Sequence, residues 1–169
     1  MINKNNPYIS QTFVEIRRRN LISEIGNFDI TEDLIDEYIE IYGEISGTGN
    51  GRFERKYARK LAGLSFLKFK LQNGVKYSDC KEGLFYIISN EAYKNYAKVG
   101  MTIDLDGRLK SYQTYSPFRD FKVKRYEFVR DRRVTEQMVL NRYKFDIENT
   151  AGEWIEMKYA DEIMNFIKK

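Results

Sequence analysis

The stretch Gly83–Gln113, GLFYIISNEAYKNYAKVGMTIDLDGRLKSYQ, decides the fold of this chain. Leu84 to Ile88 is a continuous apolar run bounded by Gly83 and by Ser89-Asn90, which is how a buried strand reads. Alternation puts Tyr86 and Ile88 on one face and Phe85 and Ile87 on the other. Tyr96 to Val99 predicts a second short strand, ended by Gly100, so the pair forms a hairpin with an irregular loop at Glu91 to Asn95. Thr102 or Asp104 is placed to cap the next helix. There Leu105 and Leu109 pack inward, and Arg108 and Tyr112 lie one turn apart.

Downstream, Phe118 to Val129 supplies a third strand. Phe121 and Val123 share one face, while Tyr126 and Phe128 sit in a shifted register that requires a bulge or bend. After Arg132 and Arg133 comes a helix in which Glu136 shares a stripe with Val139, Leu140 and Tyr143. An acid on an apolar face needs a partner. Trp154 and Ile155 read as a short strand or plug, and Tyr159 to Ile167 as a last helix packing through Ala160, Ile163, Met164 and Ile167. The expected fold of residues 81–169 is therefore α+β: a small three-stranded, mainly antiparallel sheet flanked by helices.

Upstream, residues 1–80 read as a helical N-terminal region. A helical pattern carries Phe13, Ile16, Leu21, Ile22 and Ile25 around Arg17, Arg18 and Arg19, three neighbours that point to different sides. A second helix runs from Thr31, its N-cap, to Tyr42, with Glu32 and Asp33 in its first turn and Leu34, Ile35, Tyr38, Ile39 and Tyr42 buried. Gly43 is expected to end it. Ser46 to Gly51, SGTGNG, is the strongest breaker in the chain, and it lacks the Gly-Lys-Ser/Thr ending of a phosphate-binding P-loop. From Arg52 to Leu67 a third helix shows Phe53, Tyr57, Leu61 and Leu64 on one face. Arg52, Arg55 and Arg59 fall on the opposite face, within about 60° of one another at 100° per residue. That arginine stripe is either an ordinary solvated face or a phosphate-backbone contact.

Composition removes several chemistries. The 169 residues contain no histidine and one cysteine, Cys80. No internal disulfide, Cys/His zinc cluster or His-based triad can be assembled, and acid–base work falls to Tyr, Lys, Asp or Glu. With 29 basic against 25 acidic residues the net charge is only +4, so charge alone favours an anionic partner slightly. Thirteen Tyr and eleven Phe permit base stacking. The opening MINKNNPYIS has no signal-peptide core, and no run nears the ~18 apolar residues of a membrane span. The expectation is a soluble, cytoplasmic protein with no membrane partner.

Gly83-x-x-Tyr86, Lys98-Val99-Gly100 and Arg108-x-x-x-Tyr112, in that order, resemble the GIY-YIG nuclease superfamily. More narrowly they resemble the phage, large-virus and type II restriction-enzyme branch, which has K-[IV]-G in place of Y-I-G. Thr135 to Leu140 resembles the helix that carries the family's metal-binding glutamate. Asn141 stands where many viral-branch relatives have a histidine. Gly152-Glu153-Trp154-Ile155 resembles their closing G-E-W-F, and Asn149 loosely matches an asparagine found in some members. The resemblance covers roughly Glu82 to Met157.

The resemblance implies a divalent-metal DNA endonuclease with a tyrosine-based, single-metal mechanism. Tyr86 would accept a proton from the attacking water, directly or as a relay, and Lys98 would lower a phenol pKa or contact the phosphate. Arg108 would stabilise transition-state charge, Tyr112 would hold or deprotonate the nucleophile, and Glu136 would bind one Mg²⁺ or Mn²⁺. A phenol of pKa ~10 is a poor base at neutral pH unless cations lie close, and Lys98 and Arg108 are the cations at hand. Packing explains Tyr112, and a structural ion pair explains Arg108 and Glu136, without catalysis. A register one residue earlier would put Phe85 in the base position, and the register keeping Tyr86-Ile87-Ile88 is preferred. DNA is the expected partner, a homodimer being one way to cut both strands. A non-cleaving nucleic-acid-binding protein and an RNA nuclease remain the competing readings.

Overall fold

The computed structural model describes residues 6–22, 28–47, 55–144 and 152–168. The chain divides into two compact units, Met1–Cys80 and Lys81–Lys169. Among the described residues no helix is long and apolar enough to cross a membrane.

The first unit holds three helices: α1 (Pro7–Arg18), α2 (Glu32–Ser46) and α3 (Arg55–Gln72). Pro7 opens α1 where its missing N–H costs nothing, and Asn6 caps it by accepting from the Tyr8 amide at 3.0 Å. Thr31 caps α2 as its sequence position predicts. The helix runs through Gly43, which is buried, and ends at Gly47, whose φ of 65° suits glycine. The expected stop at Gly43 is overridden: the position is buried within the helix, and the glycine cost of about 1 kcal/mol is small enough for tertiary packing to outweigh. The core joins Phe13, Ile16, Ile35, Tyr38, Ile41, Phe66 and Leu67, with Phe13 stacked on Phe69 at 4.4 Å. In α3 the buried face is Ala62, Ser65, Phe66 and Lys70, not the Tyr57/Leu61/Leu64 face expected, and Tyr57 is exposed. The aromatic cluster around Phe66 decides which face turns inward.

In the second unit the four strands are β1 (Gly83–Ser89), β2 (Tyr96–Thr102), β3 (Lys122–Val129) and β4 (Trp154–Glu156). They form one antiparallel sheet in the order β3-β1-β2-β4. The sheet thus has one strand more than the three counted from sequence. Trp154 and Ile155 pair with Lys98 and Ala97 instead of forming a plug. Central β1 is buried along its whole length because both its faces are covered. Phe85, Ile87, Ala97, Val99 and Ile155 share a core with Val139 and Tyr143 of α5 (Arg132–Tyr143) and Ala160, Ile163 and Met164 of α6 (Ala160–Phe166). Tyr86, by alternation, faces the other way, toward α4 (Leu105–Gln113).

The expected bulge in β3 is present. Ile87 pairs with Arg125 and Ile88 with Val123, leaving Lys124 as the extra residue. That strand begins at Lys122, four residues later than expected, and Phe118 lies in the preceding loop, 84% exposed. Arg132 and Arg133 belong to α5 and do not precede it, since the Asp131 carboxylate caps the helix by accepting from the Arg133 and Val134 amides.

Candidate active site

Four of the five residues singled out in the second unit meet on the α4 face of the sheet. In the antiparallel register Tyr86 lies directly opposite Gly100. A Cβ built on Gly100 would stand 2.4 Å from the Tyr86 hydroxyl and 2.6 Å from its Cζ. Only glycine lets the phenol lie flat across β2, which is the physical content of the Lys98-Val99-Gly100 motif. The other motif glycine has a similar reason: a Cβ on Gly83 would meet the Arg132 Cδ at 2.7 Å and the Thr102 carbonyl at 2.9 Å.

Arg108 and Tyr112 are delivered by α4. Asp104 caps it, accepting from the Gly107 amide at 3.0 Å, while the Thr102 hydroxyl accepts from the Asp104 amide, so the two candidate caps act in series. One turn then separates the two side chains. Arg108 Nε donates to Tyr86 Oη at 3.2 Å, and Tyr86 Oη lies 3.2 Å from Tyr112 Oη. The guanidinium of Arg108 sits 5.3 Å from the Tyr112 ring centroid and Lys98 Nζ sits 5.2 Å from it. Two cations thus face one phenol ring.

Tyr86 differs in kind. It is wholly buried, and burial, followed by its bond to Tyr112, pushes its hydroxyl above the ordinary tyrosine value despite Arg108. It is therefore a neutral phenol throughout the working range. Its oxygen accepts from Arg108 Nε and shares with Tyr112 Oη a hydrogen bond that either hydroxyl can donate.

Glu136 arrives from α5, which packs on the opposite face of the sheet. The start of that helix is anchored to the start of β1. The Arg132 amide donates to the Lys81 carbonyl at 2.9 Å, and the buried Arg132 guanidinium donates to the Glu82 carbonyl at 2.7 Å. Partial burial, and then the charge of Glu153, hold the Glu136 carboxyl above its ordinary value, against the pull of Arg108 and of a bond from the Met101 backbone. Arg108, Glu136 and Glu153 therefore share one electrostatic field.

Glu153 carries no role in the sequence reading, although it stands in the Gly152–Ile155 motif. Its carboxylate pairs with Lys98 Nζ at 3.1 Å, and its carbonyl accepts from the Val99 amide at 2.8 Å. The strand extension at β4 is what brings it there. No spacing rule could have found it, because its partners lie more than fifty residues upstream.

The arginines of the first unit are a different matter. Arg52 lies outside the described residues, as do Asn149 and the side chain of Arg55. Arg59 makes a two-point pair with Glu32, Nη2 to Oε1 at 2.6 Å and Nε to Oε2 at 3.1 Å. Of the Arg17–Arg19 run, Arg18 and Arg19 both bind Glu15, and Arg19 also reaches Glu44. Much of this positive charge is matched locally.

Does the site fit a divalent cation? Among the described residues no group of three or more His, Cys, Asp or Glu is assembled. The unfavourable surroundings of the Glu136 carboxylate, desolvated and next to a second glutamate, are the kind a cation relieves.

A family model described as the T5orf172 domain matches residues 83–169. No curated protein and no solved structure gives a match.

Proposed function

Because the chain belongs to the T5orf172 domain family, a GIY-YIG-like, nuclease-related family, we propose that it is a divalent-metal-dependent endonuclease hydrolysing phosphodiester bonds of DNA. The observation that carries this reading is the cluster of Arg108 and two phenols, Tyr86 Oη 3.2 Å from both Arg108 Nε and Tyr112 Oη, with Lys98 over the second ring.

In this reading Tyr112 takes the proton of the attacking water. Its hydroxyl shares a 3.2 Å hydrogen bond with neutral Tyr86, and two cations lie over its ring. With the Tyr112 hydroxyl proton first given up to solvent, the water oxygen bonds to phosphorus, the water's proton moves to Tyr112 Oη, and the bond from phosphorus to the departing oxygen breaks. That oxygen then picks up a proton from solvent. Arg108, exposed on one side and always charged, stabilises the charge gathering on the phosphoryl oxygens. Lys98, steadied by Glu153, either holds Tyr112 in its reactive state or touches the phosphate. Mg²⁺ or Mn²⁺ held by Glu136 would draw charge from the phosphate and ease the departure of the leaving oxygen. Cutting both strands would take two copies of the chain, or two encounters. The N-terminal helices, with Arg52, Arg55 and Arg59, would add target affinity.

The test is a supercoiled plasmid incubated with the purified protein and Mg²⁺ or Mn²⁺, beside Arg108→Ala and Glu136→Ala. Nicked and linear products are expected from the wild type alone. A wild type that binds DNA yet leaves it supercoiled would favour the non-cleaving alternative, and a parallel RNA panel separates the two nuclease readings.

A further inference from the structure

Two of the most exposed large side chains in the described residues are Tyr115, 82% exposed, and Phe118, 84% exposed. Both lie on the loop that leaves α4 directly after Tyr112. Apolar rings left in water on a loop with no internal order would be unremarkable, but this loop is pinned at both ends. Tyr115 N donates to the Tyr112 carbonyl at 3.0 Å, continuing the helix. The Gln113 side chain then spans the loop, its Nε2 donating to the Phe121 carbonyl at 2.8 Å and its Oε1 accepting from the Phe121 amide at 3.0 Å. Asp120 accepts from the Ser116 hydroxyl and from Asn90 Nδ2, and Arg119 N donates to the Ser116 carbonyl at 3.1 Å. Arg119 holds a φ of 49°, a left-handed conformation that a long side chain rarely adopts. A loop so constrained fixes where its rings are presented.

The cations beside the rings point to the kind of partner. Lys110, exposed on the last turn of α4, and Arg119, exposed on the loop, make no ion pair among the described residues, unlike Arg18, Arg19, Arg59, Lys122 and Arg125. Exposed aromatic rings interleaved with unpaired cations suit a ligand that offers flat π-faces along an anionic backbone, which is a nucleic-acid strand. The distance along the chain also fits. Tyr115 follows Tyr112 by three residues and the Phe121 ring lies 5.6 Å from that of Tyr112, so both ends of the loop adjoin the site.

We infer that the loop from Thr114 to Asp120 is a base-stacking contact, in which Tyr115 and Phe118 pack against nucleobases flanking the phosphate held at Arg108. This contact rests on the nuclease reading of that site for the identity of the phosphate, and on the loop itself for the rings. Stacking on aromatic side chains tolerates any base. The loop therefore supplies affinity and holds bases splayed beside the cleavage point, without selecting a sequence.

The experiment measures binding of the full chain to a 2-aminopurine-labelled oligonucleotide, single-stranded and duplex, in EDTA so that no cleavage occurs. Phe118→Ala and Tyr115→Ala should each weaken binding roughly 5- to 100-fold, and Phe118→Trp should restore it. Because both rings are in water, thermal midpoints should stay at the wild-type value. A double alanine variant that binds within twofold of wild type overturns the inference, as does a wild type that binds neither oligonucleotide. An alanine pair that changes sedimentation of the free protein while leaving oligonucleotide binding intact assigns the rings to a protein contact and also overturns it. The two readings fail separately. Wild type that cuts plasmid while the alanine pair binds and cuts equally well removes the stacking contact alone. Ring-dependent binding by a wild type that never cuts supports the contact and removes the nuclease reading alone.

Discussion

Replacing Gly100 by alanine is the sharpest perturbation available, because its effect can be worked from the geometry. The added Cβ would stand 2.4 Å from Tyr86 Oη and 2.6 Å from Cζ, where ordinary contacts begin near 3.4 Å. The end of the ring must therefore retreat by about 1 Å, a shift comparable to misplacements that cost on the order of 100-fold in rate. Tyr86 is wholly buried and Gly100 sits on a paired strand, so neither side can yield freely. Overpacking of this kind costs about 1–3 kcal/mol. The same 1 Å takes Tyr86 Oη, now 3.2 Å from both Arg108 Nε and Tyr112 Oη, out of hydrogen-bond reach of at least one of them. Single-turnover nicking of supercoiled plasmid and urea denaturation read the two consequences. A Tyr86→Ala background provides the control: with the ring gone, Gly100→Ala should cost less than about 0.5 kcal/mol, since alanine is no worse than glycine in a strand with open space. Equal destabilisation in both backgrounds, or a Gly100→Ala protein as stable and active as wild type, would refute the claim that this glycine exists to admit the Tyr86 phenol.

Further outcomes follow from the same site. If Tyr112 is the base, Tyr112→Phe should lower the cleavage rate by about 10²- to 10⁴-fold and abolish its rise with pH. Tyr86→Phe should lower the rate yet keep that rise, because burial already holds Tyr86 protonated; the reverse pattern would exchange their roles. Glu136→Gln should end metal-dependent cleavage. It should also remove a pH dependence of stability measured in EDTA. The folded-state pKa of Glu136 is raised, so this group's contribution to stability is fully present below the ordinary carboxylate value and is lost as pH climbs through the raised one. The glutamine variant should be at least as stable as wild type at pH 7, and a less stable variant at that pH would contradict the assignment. Glu153→Gln, which frees Lys98 from its 3.1 Å partner, should cost about 10-fold in rate with little change in melting temperature, measured by plasmid nicking and calorimetry. Asp104→Ala should destabilise the protein by about 0.5–2 kcal/mol through loss of the α4 cap, read from urea midpoints.

The strands and helices around the central motif were legible because their signals are local. The continuous apolar run of β1, a cap at Thr102 or Asp104 and a shifted apolar register in β3 each depend on residues within a few positions of one another. Where expectations moved, a distant contact was the cause. Gly43 stayed in α2 because its position is buried, the inward face of α3 followed an aromatic cluster built from three separate segments, and β4 became a strand only by pairing with Tyr96 to Lys98.

The sequence by itself determined the order and type of the elements, and the residue types able to do acid–base work in a chain without histidine. It also named Tyr86, Lys98, Arg108, Tyr112 and Glu136. Only the tertiary structure decided which of them meet. Tyr86 and Phe85 are neighbours in sequence with similar rings, yet the pleat sends one to α4 and the other into the core with Val139. The surroundings of the two phenols were likewise beyond any local pattern. Burial keeps Tyr86 neutral and two cations lie over the Tyr112 ring, and both are properties assembled from distant parts of the chain.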